Sequence, residues 1–161
     1  MGPAAKFLSL SRRDRGLLVA AALTLARTAI GLRTIGFDAM RRRAAGTVPG
    51  RHSHSWCGPP PRRTVAPPPA DRIAWSVGAA TRVVPGGSNC LVRALATQAM
   101  LTRHGYPSEL KIGVRKADHD RIAAHAWLEC ADAIVVGDFE LDSYTALRAP
   151  AAAPASAVRD G

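Results

Sequence analysis

Aromatic residues are few in this chain of 161: three Trp, two Tyr and three Phe, 5% in all. Proteins that grip nucleic acid strands interleave such rings with basic residues. Here the basic residues stand without them and without any RNA- or DNA-binding motif, so no nucleic-acid partner is expected. Cysteine is equally sparse. Cys57, Cys90 and Cys130 are odd in number and lack Cys-x-x-Cys spacing, which argues against a disulfide framework and a four-thiolate zinc site and suits a reducing cytoplasm. Carboxylates are outnumbered, Asp+Glu 12 against Lys+Arg 22 for a net charge of +10, an excess that favours an acidic partner without naming one. Long apolar runs are missing too. Leu17 to Ala26, broken only by Thr24, falls far short of the ~20 residues that span a bilayer. No internal repeat is visible.

What is present reads as one domain, because the length is that of a single domain and a hydrophobic fraction of 47% can bury one core. Four segments divide it. Residues 1–43 form an N-terminal helical arm in which Leu18, Ala22, Leu25, Ala29 and Leu32 recur at three-to-four spacing, the stripe of a packing helix. Packing is preferred over membrane contact and over a signal peptide, because Arg27 and Arg33 interrupt the run and no small-residue cleavage site closes it. Residues 44–70 are rich in Gly, Pro, Arg and His, including Pro59-Pro60-Pro61 and Pro67-Pro68-Pro69; proline donates to neither helix nor ladder, so this is a linker or extended loop. His52, His54 and Cys57 cluster there, but no fourth ligand stands at metal-binding spacing, and no metal or cofactor is expected. Residues 71–148 are the core, and the Ala/Pro-rich 149–161 is a disordered tail.

The core opens with a helix near 71–81 and the breaker Pro85-Gly86-Gly87. Ser88 or Asn89 can cap a second helix, Cys90 to His104, whose apolar residues Leu91, Val92, Ala94, Leu95, Ala99, Met100 and Leu101 run round most of its circumference and make it central. Gly105 and Pro107 end it. Three strands follow, at 110–115, 125–130 and 133–138. If Ala131-Asp132 is a two-residue hairpin loop, Cys130 pairs with Ala133, and the ladder carried down sets His125 opposite Asp138. A slip of one residue would break that pairing.

Cys90, His125 and Asp138 are therefore the candidate site. A thiol in the first turn of a helix lies near unpaired N–H groups and the positive end of the dipole, which favour thiolate. An imidazole can take the thiol proton and later protonate a leaving group, and a carboxylate can fix its tautomer. The plainer alternatives are a small buried cysteine and a structural histidine.

The runs Cys90-Leu-Val-Arg-Ala-Leu-Ala-Thr-Gln-Ala-Met-Leu-Thr-Arg-His-Gly-Tyr, Leu-Lys-Ile-Gly-Val-Arg-Lys, His125-Ala-Trp-Leu-Glu and Val-Val-Gly-Asp138 resemble the C-terminal protease domain of lasso-peptide maturation proteins, in the transglutaminase-like branch of the papain superfold. The resemblance covers about Ile73–Leu141 firmly and the arm loosely. It implies an α+β fold with a Cys-bearing helix on an antiparallel sheet, and a cysteine peptidase with Cys90 as nucleophile, His125 as base and acid, and Asp138 as orienting carboxylate. Its implied substrate is a ribosomally made lasso precursor, whose leader is removed before an ATP-dependent cyclase closes the ring. The first 70 residues lack the strand-rich pattern of a fused leader-binding domain, so a separate leader-recognition protein is expected. A transglutaminase-like acyl transferase would use the same trio, and a non-catalytic scaffold is the alternative of a different class.

Overall fold

The computed structural model describes residues 9–46, 68–117, 121–131 and 133–147. Within them the order is α1 (Arg12–Thr34), α2 (Phe37–Ala45), α3 (Ala70–Ala80), α4 (Cys90–Arg103), β1 (Glu109–Lys116), β2 (Ile122–Cys130), β3 (Ala133–Val136), a 3-10 turn (Leu141–Ser143) and β4 (Thr145–Ala146). The α+β class is as expected, with one antiparallel sheet in the order β3-β2-β1-β4. Residues 47–67 of the expected linker, with His52, His54 and Cys57, and the tail 149–161 lie outside the described residues.

The first helix starts at Ser11, whose Oγ accepts from the Asp14 N–H at 3.1 Å, a side-chain cap for an otherwise orphaned donor. Asp14 in turn receives Arg72 of α3 through two nitrogens, Nε on Oδ1 and Nη2 on Oδ2, both at 2.9 Å. The Arg72 guanidinium, and after it the Ser11 hydroxyl, hold the Asp14 carboxyl below its ordinary value of 3.8. A carboxylate depressed in this way stabilises the fold at neutral pH, and that contribution is lost as acid carries the pH down through its lowered value.

The buried side of α1 is Leu17, Ala21, Thr24, Leu25, Thr28 and Gly31, about one residue round from the expected stripe, of which only Leu25 is fully buried. Thr24 and Thr28 explain the difference. Their hydroxyls donate to the carbonyls of Ala20 and Thr24 at 2.7 and 2.8 Å, so two polar residues enter the core with their donors satisfied and hydropathy alone misplaces the face. The helix is long and apolar enough to cross a membrane by length and composition, which the Leu17–Ala26 run taken alone was not. One of its faces is nevertheless committed to protein: Leu17, Ala21 and Leu25 share a cluster with Ile73 and Val77 of α3, Val92, Ala96, Met100 and Leu101 of α4, and Leu128, Cys130 and Val136 of the sheet.

Helix α4 is the hub of this core, as its all-round apolar pattern implies. Its other side carries Leu95 against Met40 and Ala44 of α2, a helix that runs through Ala45 and so two residues into the segment read as linker. The chain leaves α4 with the Tyr106 N–H on the Leu101 carbonyl at 3.0 Å, the six-to-one closure that satisfies a terminal carbonyl. Leu25→Ala, at a site with 0% exposure, should cost about 2–5 kcal/mol. Leu23→Ala, on the open side of the same helix at 53% exposure, should stay within about 0.5 kcal/mol. Urea denaturation midpoints measure both, and equal losses would show that α1 does not belong to the core.

Candidate active site

Asn89, not Ser88, caps α4: its Oδ1 accepts from the N–H groups of Leu91 at 2.9 Å and Val92 at 3.3 Å. Cys90 is therefore the first residue of the helix. It is half-buried and not in a disulfide, a position from which a sulfur can meet both solvent and the helix's positive end.

The β2–β3 hairpin forms with Cys130 opposite Ala133, and Ala131 takes a positive φ of 49° at the turn. The expected register then holds for one further pair, Glu129 with Ile134, before it slips. Leu128 pairs with Val136, leaving Val135 as the extra residue of a bulge, and a bulge re-aims every side chain beyond it. Continued, the shifted ladder would set His125 opposite position 139, one residue past Asp138. The strand instead ends at Val136, because Gly137 turns the chain aside at φ 85°.

As a result the imidazole meets backbone where a carboxylate was expected. His125 Nε2 lies 2.9 Å from the Gly137 carbonyl oxygen. A carbonyl can only accept, so Nε2 carries the proton and the neutral ring's lone pair sits on Nδ1. Asp138 is exposed and makes no hydrogen bond or ion pair among the described residues. Gly137 fits this place for two reasons. Its φ suits a residue without Cβ, and a Cβ there would stand 2.8 Å from the Ala126 carbonyl oxygen and 2.9 Å from Trp127 Cβ.

Alternation along β2 separates the site from the core. Leu128 and Cys130 face the helices, so His125, Trp127 and Glu129 occupy the other side of the sheet. There Trp127 is buried, and its indole N–H donates to Glu129 Oε1 at 2.9 Å. On the neighbouring strand Gly113 is paired with His125. A Cβ on Gly113 would come within 2.8 Å of the Trp127 ring and 3.0 Å of Tyr144 Cβ. Tyr144 and Trp127 both lie near the imidazole, with ring centroids at 5.3 and 6.4 Å.

The structure thus assembles His125 with Gly137, Trp127, Gly113 and Tyr144. It places Cys90 at the head of α4, with no hydrogen bond between its sulfur and His125 among the described residues. Tyr144 was missed because nothing in the run after Asp138 signals that it returns to the sheet. The pairing of Gly113 with His125 depends on the length of the β1–β2 connection, which propensities do not fix. Among the described residues no group of three His, Cys, Asp or Glu could hold a metal ion.

A cysteine opening a central helix, backed by an antiparallel sheet with a histidine on its second strand, is the layout of a papain-like thiol fold. The chain belongs to the transglutaminase-like superfamily, whose family model matches residues 22–149. Members of that superfamily commonly have cysteine peptidase or acyltransferase activity. No curated protein and no solved structure matches the chain. Asn89→Ala should cost about 1 kcal/mol of stability through the lost cap, whereas Asn89→Asp should retain it. Denaturant midpoints for the two variants test the cap, and equal midpoints would remove it from the account of the helix start.

Proposed function

We propose that this chain is a cysteine peptidase that removes the leader from a ribosomally made lasso precursor, working in the cytoplasm with a separate leader-recognition protein and upstream of an ATP-dependent cyclase. The observation that carries the reading is Cys90 as first residue of a capped, central helix in a transglutaminase-like chain, within the Cys-Leu-Val-Arg and His-Ala-Trp sequence context. In this reading Cys90 attacks the scissile carbonyl, and its proton goes to His125. The imidazolium then protonates the departing amine, and water resolves the thioester. Nδ1 is the nitrogen free to take that proton, since Nε2–H is held by the Gly137 carbonyl. Among the described residues the sulfur and the imidazole share no hydrogen bond and His125 stands on the sheet face away from α4, so this reading requires the two groups to be brought together in the substrate complex. Orientation of the ring falls to the Gly137 carbonyl, and the exposed Asp138 is left with electrostatic screening of the imidazolium from the surface.

Superfamily membership favours one second reading, acyl transfer to an amine in place of water, because both routes pass through the same thioester. Mass spectrometry of a lasso precursor incubated with the chain separates the possibilities: two fragments for cleavage, a conjugate for transfer, an unchanged peptide for a scaffold. Cys90→Ala should abolish turnover with the fold intact, and His125→Ala should be comparably damaging because the two act as a unit. Asp138→Asn should leave measurable activity, and adding the leader-binding protein should accelerate cleavage by raising the local substrate concentration. Undiminished cleavage by Cys90→Ala would end the nucleophile assignment.

A further inference from the structure

Strands β3 and β4 occupy opposite edges of the sheet, so the segment 137–144 that joins them has to pass from one edge to the other. The helices fill one face, and the crossing runs over the other, with Gly137 against Trp127 and Tyr144 against Gly113. This strap is fixed at both ends. At one end the Gly137 carbonyl meets His125. At the other, Thr145 and Ala146 pair with Val114 and Gly113, and the Leu147 N–H donates to the Ile112 carbonyl at 2.7 Å. Between them the 3-10 turn is closed by the Tyr144 N–H on the Leu141 carbonyl at 2.9 Å. Arg115 reaches the strap as well, 3.8 Å from Glu140 and with its guanidinium 5.2 Å from the Tyr144 ring centre.

We propose that Tyr144 is a positioning residue for His125: packed across the imidazole from the strap, its ring holds Nε2–H on the Gly137 carbonyl and leaves Nδ1 as the one nitrogen that can accept a proton. A backbone carbonyl fixes distance well but leaves a ring free to swing about its own bond. The Tyr144 ring, tilted 36° to the imidazole at 5.3 Å, restricts that swing at closer range than Trp127, nearly parallel at 19° but 6.4 Å away. Gly113 supplies the necessary room: any larger residue would push against Trp127 and Tyr144 together. The interaction is with the ring, so the hydroxyl is dispensable. The inference rests on the peptidase reading only for its effect on Cys90.

The experiment uses the full chain with ¹⁵N-labelled histidine, the His125 signals being assigned with a His125→Gln variant. Wild type and Tyr144→Phe should both show the Nε2–H tautomer. Tyr144→Ala should show a mixture of tautomers while retaining the wild-type circular dichroism spectrum. If Tyr144→Ala fails to fold, Tyr144→Leu, which keeps apolar bulk without the aromatic face, should give the mixture instead. A wild-type Nδ1–H tautomer, or an unchanged spectrum in the folded Ala or Leu variant, would overturn the proposal, as would a Phe variant that behaves like Ala. In parallel, the rate of Cys90 alkylation by iodoacetamide is followed against pH with site-resolved mass spectrometry. Loss of the ring should slow it about fivefold at neutral pH, the size of a typical contact coupling, with rescue by Tyr144→Phe. Should His125→Ala leave that profile untouched, the Cys90–His125 reading fails, while the nitrogen spectra still decide the role of Tyr144.

Discussion

The hydrogen bond from His125 to the Gly137 carbonyl is the contact on which the arrangement of the candidate site depends. It can form only because β3 stops at Val136 and the next residue turns at a positive φ. That turn aims a carbonyl at the imidazole and starts the chain across the sheet. From the same corner follow the burial of Trp127, the return of Tyr144 and the pairing of β4 on the far edge. Removing the corner would leave β1 without its outer partner and the imidazole without an acceptor.

The bulge at Leu128 and Glu129 shows how a local irregularity sets chemistry at a distance. An unbroken ladder would have offered His125 a carboxylate. With one extra residue in β3 the imidazole meets backbone, and Asp138 passes to the surface. An uncharged acceptor still fixes the tautomer, but it gives an imidazolium less electrostatic support than a carboxylate would. In this structure the acceptor for the imidazole is the Gly137 carbonyl, and the adjacent carboxylate of Asp138 is exposed and makes no bond to it.

Much of this architecture was legible in the chain. Gly/Pro punctuation and hydrophobic period located α3, α4 and the three longer strands, and a helix apolar on every side had to be central. Cys90 at the helix start followed from the two capping residues before it, Ser88 and Asn89, of which the structure uses Asn89. What could not be read has physical causes. Hydropathy counts Thr24 and Thr28 as polar, yet a hydroxyl that returns its proton to the preceding turn is at ease in a core. A hairpin register can be inferred from its turn, but a bulge costs so little that pattern alone does not locate one. Contacts such as Gly113 with Tyr144 depend on chain crossing, which local spacing does not encode.

The placement of α1 has a practical consequence for dissecting the molecule. Leu17, Ala21 and Leu25 are the lining for one side of Ile73, Val77 and Val92, and the Asp14 carboxylate is the counterion of Arg72. A fragment starting after the proline-rich stretch would present that side of α3 and α4 to water as a bare apolar surface, beside an unpaired guanidinium. Such a piece would self-associate before its chemistry could be measured. The smallest unit worth expressing therefore begins upstream of Ser11, even though every residue proposed for the reaction lies beyond position 89.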